Sequence, residues 1–261
     1  MDSSIPEGGG GGVLSRSPKP GDVIADRYLI ERCIGRGGMA EVFAGVNQRT
    51  NKRVALKWIR PALAHTPEAL ARFAREALAA GRIHHPNVVT VFDVVEHQNA
   101  TWLVMELLEG EPLSEILRRR KFLPISEAAA LLIPAMRGVA AAHARGVVHR
   151  DIKPENIFIC RGSDNHKGEA KVLDFGVSKL SDPNSEDTTI TSAGNLVGTP
   201  IYMAPELVRG ARDVDQRADV YALGVVLYET LAGRPPYQGE VYSALAIAIA
   251  TTDPPRLRDL R

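Results

Sequence analysis

Cysteine is scarce in this chain. The two present, Cys33 and Cys160, stand far apart in the 261 residues. That spacing excludes a disulfide-rich scaffold and a CxxC zinc site, and it suits a reducing, cytoplasmic setting. An excess of either charge is also lacking. Lys and Arg number 32 against 31 Asp and Glu, a net +1, so no global field draws the chain to nucleic acid or an anionic membrane. No stretch of 18 uncharged apolar residues occurs. The most apolar run, Val220 to Leu231, is preceded by Asp219 and contains Glu229, so it reads as a buried helix rather than a membrane span. The N-terminus has no basic segment leading into an apolar one, which argues against a secretory signal. No internal repeat is present.

What is there is ordinary globular composition, 44% apolar and 24% charged, in a length suited to one large domain or two folding units. Residues 1–25 are rich in Gly, Ser and Pro, with Gly8–Gly12 all glycine. Such a segment buries too little apolar surface to offset its ordering entropy and is expected to be a disordered tail. From Tyr28 the pattern changes. Tyr28–Gly35, Glu41–Val46, Arg53–Ile59, Val88–Glu96 and Thr101–Glu106 read as strands, with a helix over Pro67–Arg82 whose Leu70, Phe73, Ala77 and Ala80 share one face. After a joint near Leu107–Gly110 the chain turns helical. Leu113–Arg120, Ser126–Arg145 (Ser126 as N-cap, Gly146 past the end), Asp219–Leu231 and Tyr242–Ala250 read as helices. Val147–His149, Ile157–Cys160 and Ala170–Leu173 read as short strands. Strands followed by helices make an α+β protein of two lobes.

Ile34-Gly35-Arg36-Gly37-Gly38-Met39-Ala40-Glu41-Val42 is a glycine-rich turn between strands. Glycines let backbone amides approach phosphate oxygens, although a plain tight hairpin fits the same residues. A dinucleotide site would need a helix directly after the loop, and a Walker A loop would need Gly-Lys-Ser/Thr; neither follows. Downstream lies Val54-Ala55-Leu56-Lys57. A lysine ending an apolar strand either snorkels to the surface or meets an anion, and the glycine loop upstream favours the anion.

The glycine loop, Val-Ala-Leu-Lys57, His149-Arg150-Asp151, Asp174-Phe175-Gly176 and Ala204-Pro205-Glu206 follow one another in the order of the protein-kinase signature set. The chain resembles a bacterial eukaryotic-like (Hanks-type) serine/threonine protein kinase from about residue 28 to its end. The resemblance implies a small antiparallel-sheet N-lobe over 26–108 and a mainly helical C-lobe over 109–261. It implies Mg-ATP as phosphoryl donor and proteins, the kinase's own chains in trans included, as acceptors. Lys57 would hold the α- and β-phosphates and pair with Glu76. Asp151 would orient the substrate hydroxyl, Lys153 would neutralise charge on the transferred group, and Asn156 and Asp174 would hold magnesium. Ile34, Gly35, Gly37, Gly38, Val42 and Ala55 would cover the nucleotide, with Phe158 beneath it and Met105 at the back. Backbone groups of Glu106 and Leu108 would bond the base. Lys153 and the Gly198-Thr199-Pro200-Ile201-Tyr202-Met203 run match the serine/threonine pattern.

By the same resemblance, Arg150 would meet a phosphate on the activation segment, residues 177–203. Thr188, Thr189, Thr191 and Ser192 supply hydroxyls there. Thr191 best matches a phosphosite of bacterial relatives, and a second common site falls on Ala193. Arg118-Arg119-Arg120-Lys121 reads as a solvated face complementing a helix end rather than a docking patch. His84-His85-Pro86 lacks a third ligand and reads as structural rather than metal-binding. The resemblance breaks at the end. A kinase lobe normally continues with further helices and an arginine that pairs with the residue matching Glu206, and Arg256, Arg258 and Arg261 come too early. The C-lobe is therefore expected to be truncated, which leaves a second hypothesis open: a nucleotide-binding regulatory module with weak or no turnover.

Overall fold

The computed structural model describes residues 17–37, 40–59, 81–162, 168–175, 200–211, 214–239 and 241–259. Six antiparallel strands form the first sheet: β1 (Val23–Ile24), β2 (Tyr28–Arg36), β3 (Ala40–Asn47), β4 (Lys52–Ile59), β5 (Val91–His97) and β6 (Ala100–Glu106). They lie in the order β1-β2-β3-β4-β6-β5. Period-two alternation gives the central strands two buried faces. Val54, Leu56 and Trp58 of β4 join Ile30, Phe43, Trp102 and Val104 in one cluster. Ala55 and Ile59 turn the other way, onto Val89, Leu103 and Met105. A central strand covered on both sides needs an unbroken apolar run, which is what Val54–Ile59 supplies. Burying each large side chain here contributes about 1.5–3 kcal/mol.

Part of the segment expected to be loose is ordered. Residues 17–25, expected in the loose tail, are folded onto the sheet edge: β1 pairs with β2, Gly21 N–H donates to Ile30 O at 2.8 Å, and Ile24 is buried in the core. A Gly/Pro-rich average conceals two apolar residues that find partners. At β5 the expectation runs too long. Val88 and Val89 leave the sheet and bond to Val172 instead, through a parallel bridge and the Val89 N–H.

The second part holds a small sheet, β7 (Gly110–Pro112), β8 (Ile157–Cys160) and β9 (Ala170–Val172), and five helices among the described residues: α1 (Leu113–Arg120), α2 (Ile125–His143), α3 (Pro205–Val208), α4 (Arg217–Ala232) and α5 (Tyr242–Thr251). Leu132, Ala135, Val139 and Ala142 of α2 share a core with Leu223 and Val226 of α4 and with Ile157 and Val172 of the small sheet. Gly138 brings α2 against the 87–89 segment, since a Cβ there would lie 2.5 Å from Asn87 O. The start of α2 differs from expectation. Pro124 occupies the N-cap and its carbonyl takes the Glu127 and Ala128 N–H groups, so Ser126 lies inside the first turn and makes no cap. The helix nearest to a membrane span in length and hydropathy is α2 rather than Val220–Leu231, and its buried stripe places it in this core. Val147–His149 is not a strand, because the His149 N–H is taken by the Asp219 carboxylate instead of a neighbouring strand.

The helix expected over Pro67–Arg82 lies outside the described residues except at its end. The Arg118–Arg120 run is exposed, as the reading of a solvated face requires, and internally matched. Arg118 pairs with Glu115, Arg119 with Glu111 at 2.8 Å, and Arg120 with Glu127. His85 spends a ring nitrogen accepting the Asn87 N–H.

Candidate active site

The β2–β3 hairpin closes at its tip with Gly37 N–H on Ala40 O at 2.9 Å. A Cβ added at Gly35 or Gly37 would meet protein only at 3.8 and 3.5 Å, an ordinary contact, and neither residue has a positive φ. The fold itself therefore does not require glycine at either position, and the absence of side chains leaves the loop backbone open on its outer side. Gly38 lies outside the described residues, and Ile34 is 40% exposed at the loop's edge. Beneath the hairpin, Val42, Ala55, Met105, Leu108 and Leu173 share one apolar cluster. Phe158 is half-buried on β8, opposite Lys171, and lies outside that cluster.

Lys57 shares a β4 face with Ala55, and its side chain is 9% exposed. Its ammonium lies 2.7 Å from Asp174 Oδ1. Asp174 has φ 61°, a left-handed conformation that costs a non-glycine residue energy and is found where the surrounding structure enforces it. Burial pushes the Asp174 carboxyl up, but its neighbours, the Lys57 ammonium foremost and Lys153 further off, together hold it below the usual carboxylate range. The expected partner Glu76 lies outside the described residues, as do Thr188, Thr189, Thr191 and Ser192.

Asp151, Lys153 and Asn156, on one loop, form a second group. Lys153 Nζ is 3.0 and 2.8 Å from the two Asp151 oxygens. Asn156 Nδ2 donates to Asp151 O at 2.7 Å and to Asp151 Oδ2 at 3.1 Å. With its amide nitrogen occupied in this way, Asn156 offers its amide oxygen to a ligand. Asn156 and Asp174 thus present oxygen donors only, one amide and one carboxylate. That incomplete set fits a magnesium ion completed by phosphates and water. Among the described residues no cluster of three His, Cys, Asp or Glu could hold a metal without such help.

Two bonds join the groups. Leu173 N–H donates to Asn156 O at 2.9 Å, and His149 Nε2 lies 2.6 Å from Leu173 O. His149 Nδ1 accepts the Asp151 N–H at 3.2 Å, which makes Nε2 the protonated nitrogen. Burial pushes this imidazole's pKa down, so it is neutral.

Asp219, which in the sequence stands out only as the charge before an apolar run, organises the loop. Fully buried at the start of α4, it accepts His149 N–H at 2.8 Å and Arg150 N–H at 2.7 Å, and lies 2.7 Å from His143 Nε2. An acid in the first turn, just before the apolar run Val220–Leu227, was the available signal. Tyr202, in the sequence one residue of the Gly198–Met203 run, gains a specific partner: its hydroxyl donates to Glu229 at 2.6 Å, and burial raises the Glu229 carboxyl. Glu206 is half-buried and has no ion-pair partner among the described residues.

A glycine-rich hairpin beside a lysine–aspartate pair, joined through Leu173 and His149 to an Asp-Lys-Asn loop, sits in a two-lobed fold of an antiparallel sheet and a helical part. The chain belongs to the protein kinase domain family, which matches residues 28–253. It is similar to the serine/threonine-protein kinase Pkn1 of Myxococcus xanthus, 42% identical over 230 residues that cover 87% of this chain and 32% of that protein. It is also similar to the serine/threonine-protein kinase PknA of Mycobacterium tuberculosis, 37% identical over 246 residues, 92% of this chain and 55% of that protein. The crystal structure of the M. tuberculosis PknI kinase domain superposes with a TM-score of 0.71 at 29% identity, over 94% of this chain and 86% of that one. The chain spans about a third of the length of Pkn1 and a little over half of that of PknA.

Proposed function

We propose that this chain transfers the γ-phosphoryl group of ATP to serine or threonine hydroxyls of proteins. The observation that carries this is the convergence of Asp151, Lys153 and Asn156 on one side and Lys57 and Asp174 on the other, tied together through Leu173 and His149. The Asp151 carboxylate, 40% exposed, is open to an incoming hydroxyl and accepts its proton. The hydroxyl oxygen bonds to the γ-phosphorus as the β–γ bridging bond breaks, and ADP leaves. Lys153, already on Asp151, faces the charge on the group in flight. Lys57 moves from Asp174 alone to the α- and β-phosphates. Asn156 and Asp174 would hold a magnesium ion, which would neutralise charge on the phosphate oxygens. Val42, Ala55, Met105, Leu108 and Phe158 enclose the base, and the backbone at Glu106 and Leu108 recognises it.

The small lobe is assigned to residues 26–108, with residues 17–25 folded onto it, and the larger lobe to 109–261. Both thiols are free, which suits the cytoplasm, where ATP is also found. Arg150 Nε is buried without a partner among the described residues, and its guanidinium touches only Val214 O at 3.3 Å. A phosphate on the activation segment, at Thr191 first and then Thr189, Thr188 or Ser192, would satisfy it. The idle-module alternative keeps one observation, the half-buried Glu206 without an ion-pair partner among the described residues, and the intact Asp151, Lys153, Asn156, Lys57 and Asp174 set weighs against it.

Intact-mass analysis of purified protein with Mg-ATP, beside Asp151→Asn, tests the proposal. Gains of phosphate in the wild type alone, with peptides 188–192 carrying them, are expected. No gain in folded, ATP-binding wild type would refute turnover.

A further inference from the structure

Glu106 ends β6, and both its side chain and its backbone are engaged. Oε1 accepts the Thr90 N–H at 2.8 Å and lies 2.8 Å from the Lys171 ammonium. The Glu106 N–H in turn donates to Thr90 O at 2.9 Å. Thr90, just before β5, and Glu106 therefore hold each other at two points, and a third hold comes from the other lobe. Lys171 is the middle residue of β9, between Ala170 and Val172, whose side chains are fully buried. The backbone of β9 is itself anchored. Val172 N–H donates to Asn87 O, Val89 N–H donates to Val172 O, and Asn87 Nδ2 donates to Ala170 O. Lys171 stands opposite Phe158 across β8, so the two side chains share the sheet face expected to floor the base. The Lys171 and Glu106 side chains are 18% and 23% exposed, so water screens their attraction only in part.

We infer that Lys171 is a positioning residue for nucleotide binding, holding the Glu106 carboxylate so that the last peptide of β6 meets the base in a fixed orientation. The inference rests on the kinase reading above. Without the ammonium, the carboxylate is left partly buried and uncompensated, and it turns toward water. Thr90 N–H then loses its acceptor, and the peptide at Glu106 is freed to rotate. Lys171 makes no contact with Lys57, Asp151, Asn156 or Asp174, so the effect falls on recognition of the base and not on the transfer step.

The test uses the full chain as wild type, Lys171→Met, Lys171→Arg, Glu106→Gln and the Glu106→Gln/Lys171→Met double variant. Calorimetry measures binding of adenosine, of Mg-ATP and of inorganic tripolyphosphate. Adenosine and Mg-ATP are expected to weaken together, by about tenfold in each of Lys171→Met and Glu106→Gln. The double variant loses no more than either single one, Lys171→Arg recovers most of the affinity, and tripolyphosphate binding does not change. In Lys171→Met, KM for ATP rises by the same factor while kcat stays within about twofold. Glu106→Gln, which keeps side-chain shape, guards against a Met variant that folds poorly. Unchanged adenosine affinity in folded variants, loss of ATP without loss of adenosine, or losses that add in the double variant would overturn the inference. A wild type that binds neither adenosine nor Mg-ATP would instead refute the nucleotide-site reading itself.

Discussion

Replacing Asp219 with Asn exchanges one carboxylate oxygen for an NH2 group at a site buried from solvent. Oδ2 faces two donors, the His149 N–H at 2.8 Å and His143 Nε2 at 2.7 Å, and Oδ1 faces the Arg150 N–H at 2.7 Å. The cheaper orientation keeps the amide oxygen on the first pair and sets NH2 against the Arg150 N–H. One charge-assisted bond is lost, about 1.5–3 kcal/mol, and two donors are left facing each other, about 1–3 kcal/mol more. The total, about 2.5–6 kcal/mol, brackets the cost of breaking a buried ion pair. For a chain of this size that lowers Tm by about 5–24 °C. The displaced amides belong to the residues just before Asp151, so turnover falls as well. Calorimetric unfolding at pH 7.5 beside Asp151→Asn is the assay. A Tm within about 2 °C of wild type, with turnover intact, would refute the claim that Asp219 holds the loop.

Asp151→Asn itself, at an exposed carboxylate, should leave stability within about 0.5 kcal/mol and cut phosphoryl transfer by at least about 100-fold, as read by Tm and initial rate. His149 is kept neutral by burial, so the unfolded chain binds a proton below its ordinary 6.5 that the native state refuses. Stability present at pH 7.5 therefore declines as pH falls through 6.5 and below, by up to about 1.4 kcal/mol per pH unit. Urea unfolding should show a shallower slope in His149→Gln. Gly138→Ala places a Cβ 2.5 Å from Asn87 O and should cost about 1–3 kcal/mol in the same experiment. Arg119→Ala, at an exposed pair with Glu111, should change stability by less than about 1 kcal/mol.

The hairpins, the helices over Leu113–Arg120 and Tyr242–Ala250, and the catalytic signature were legible because their signals are local. Alternation, turn residues and fixed spacings need no knowledge of distant partners. What escaped depends on partners far along the chain. Val88 and Val89 resemble the strand that follows them, yet they bond to Val172. Val147–His149 has strand composition, but its amide goes to an acid 70 residues on. Val23 and Ile24 stand in a glycine- and proline-rich segment, and only the edge of β2 shows why they are ordered. Lys171 gave no sign at all, since a lysine in a three-residue strand has many outlets and only the fold brings Glu106 to it. For the site, the motifs named Lys57, Asp151, Lys153, Asn156 and Asp174. The pairing of Lys57 with Asp174 and the anchoring of the loop by Asp219 emerged only in three dimensions.

Transfer of labelled γ-phosphate from Mg-ATP to protein, followed by phosphoamino-acid analysis, tests the central claim most directly. Wild type and Asp151→Asn are run in parallel. Phosphoserine or phosphothreonine formed by the wild type and absent with the variant is the predicted result. Equal labelling by both proteins, label found on tyrosine alone, or no label from folded wild type that binds ATP would contradict it.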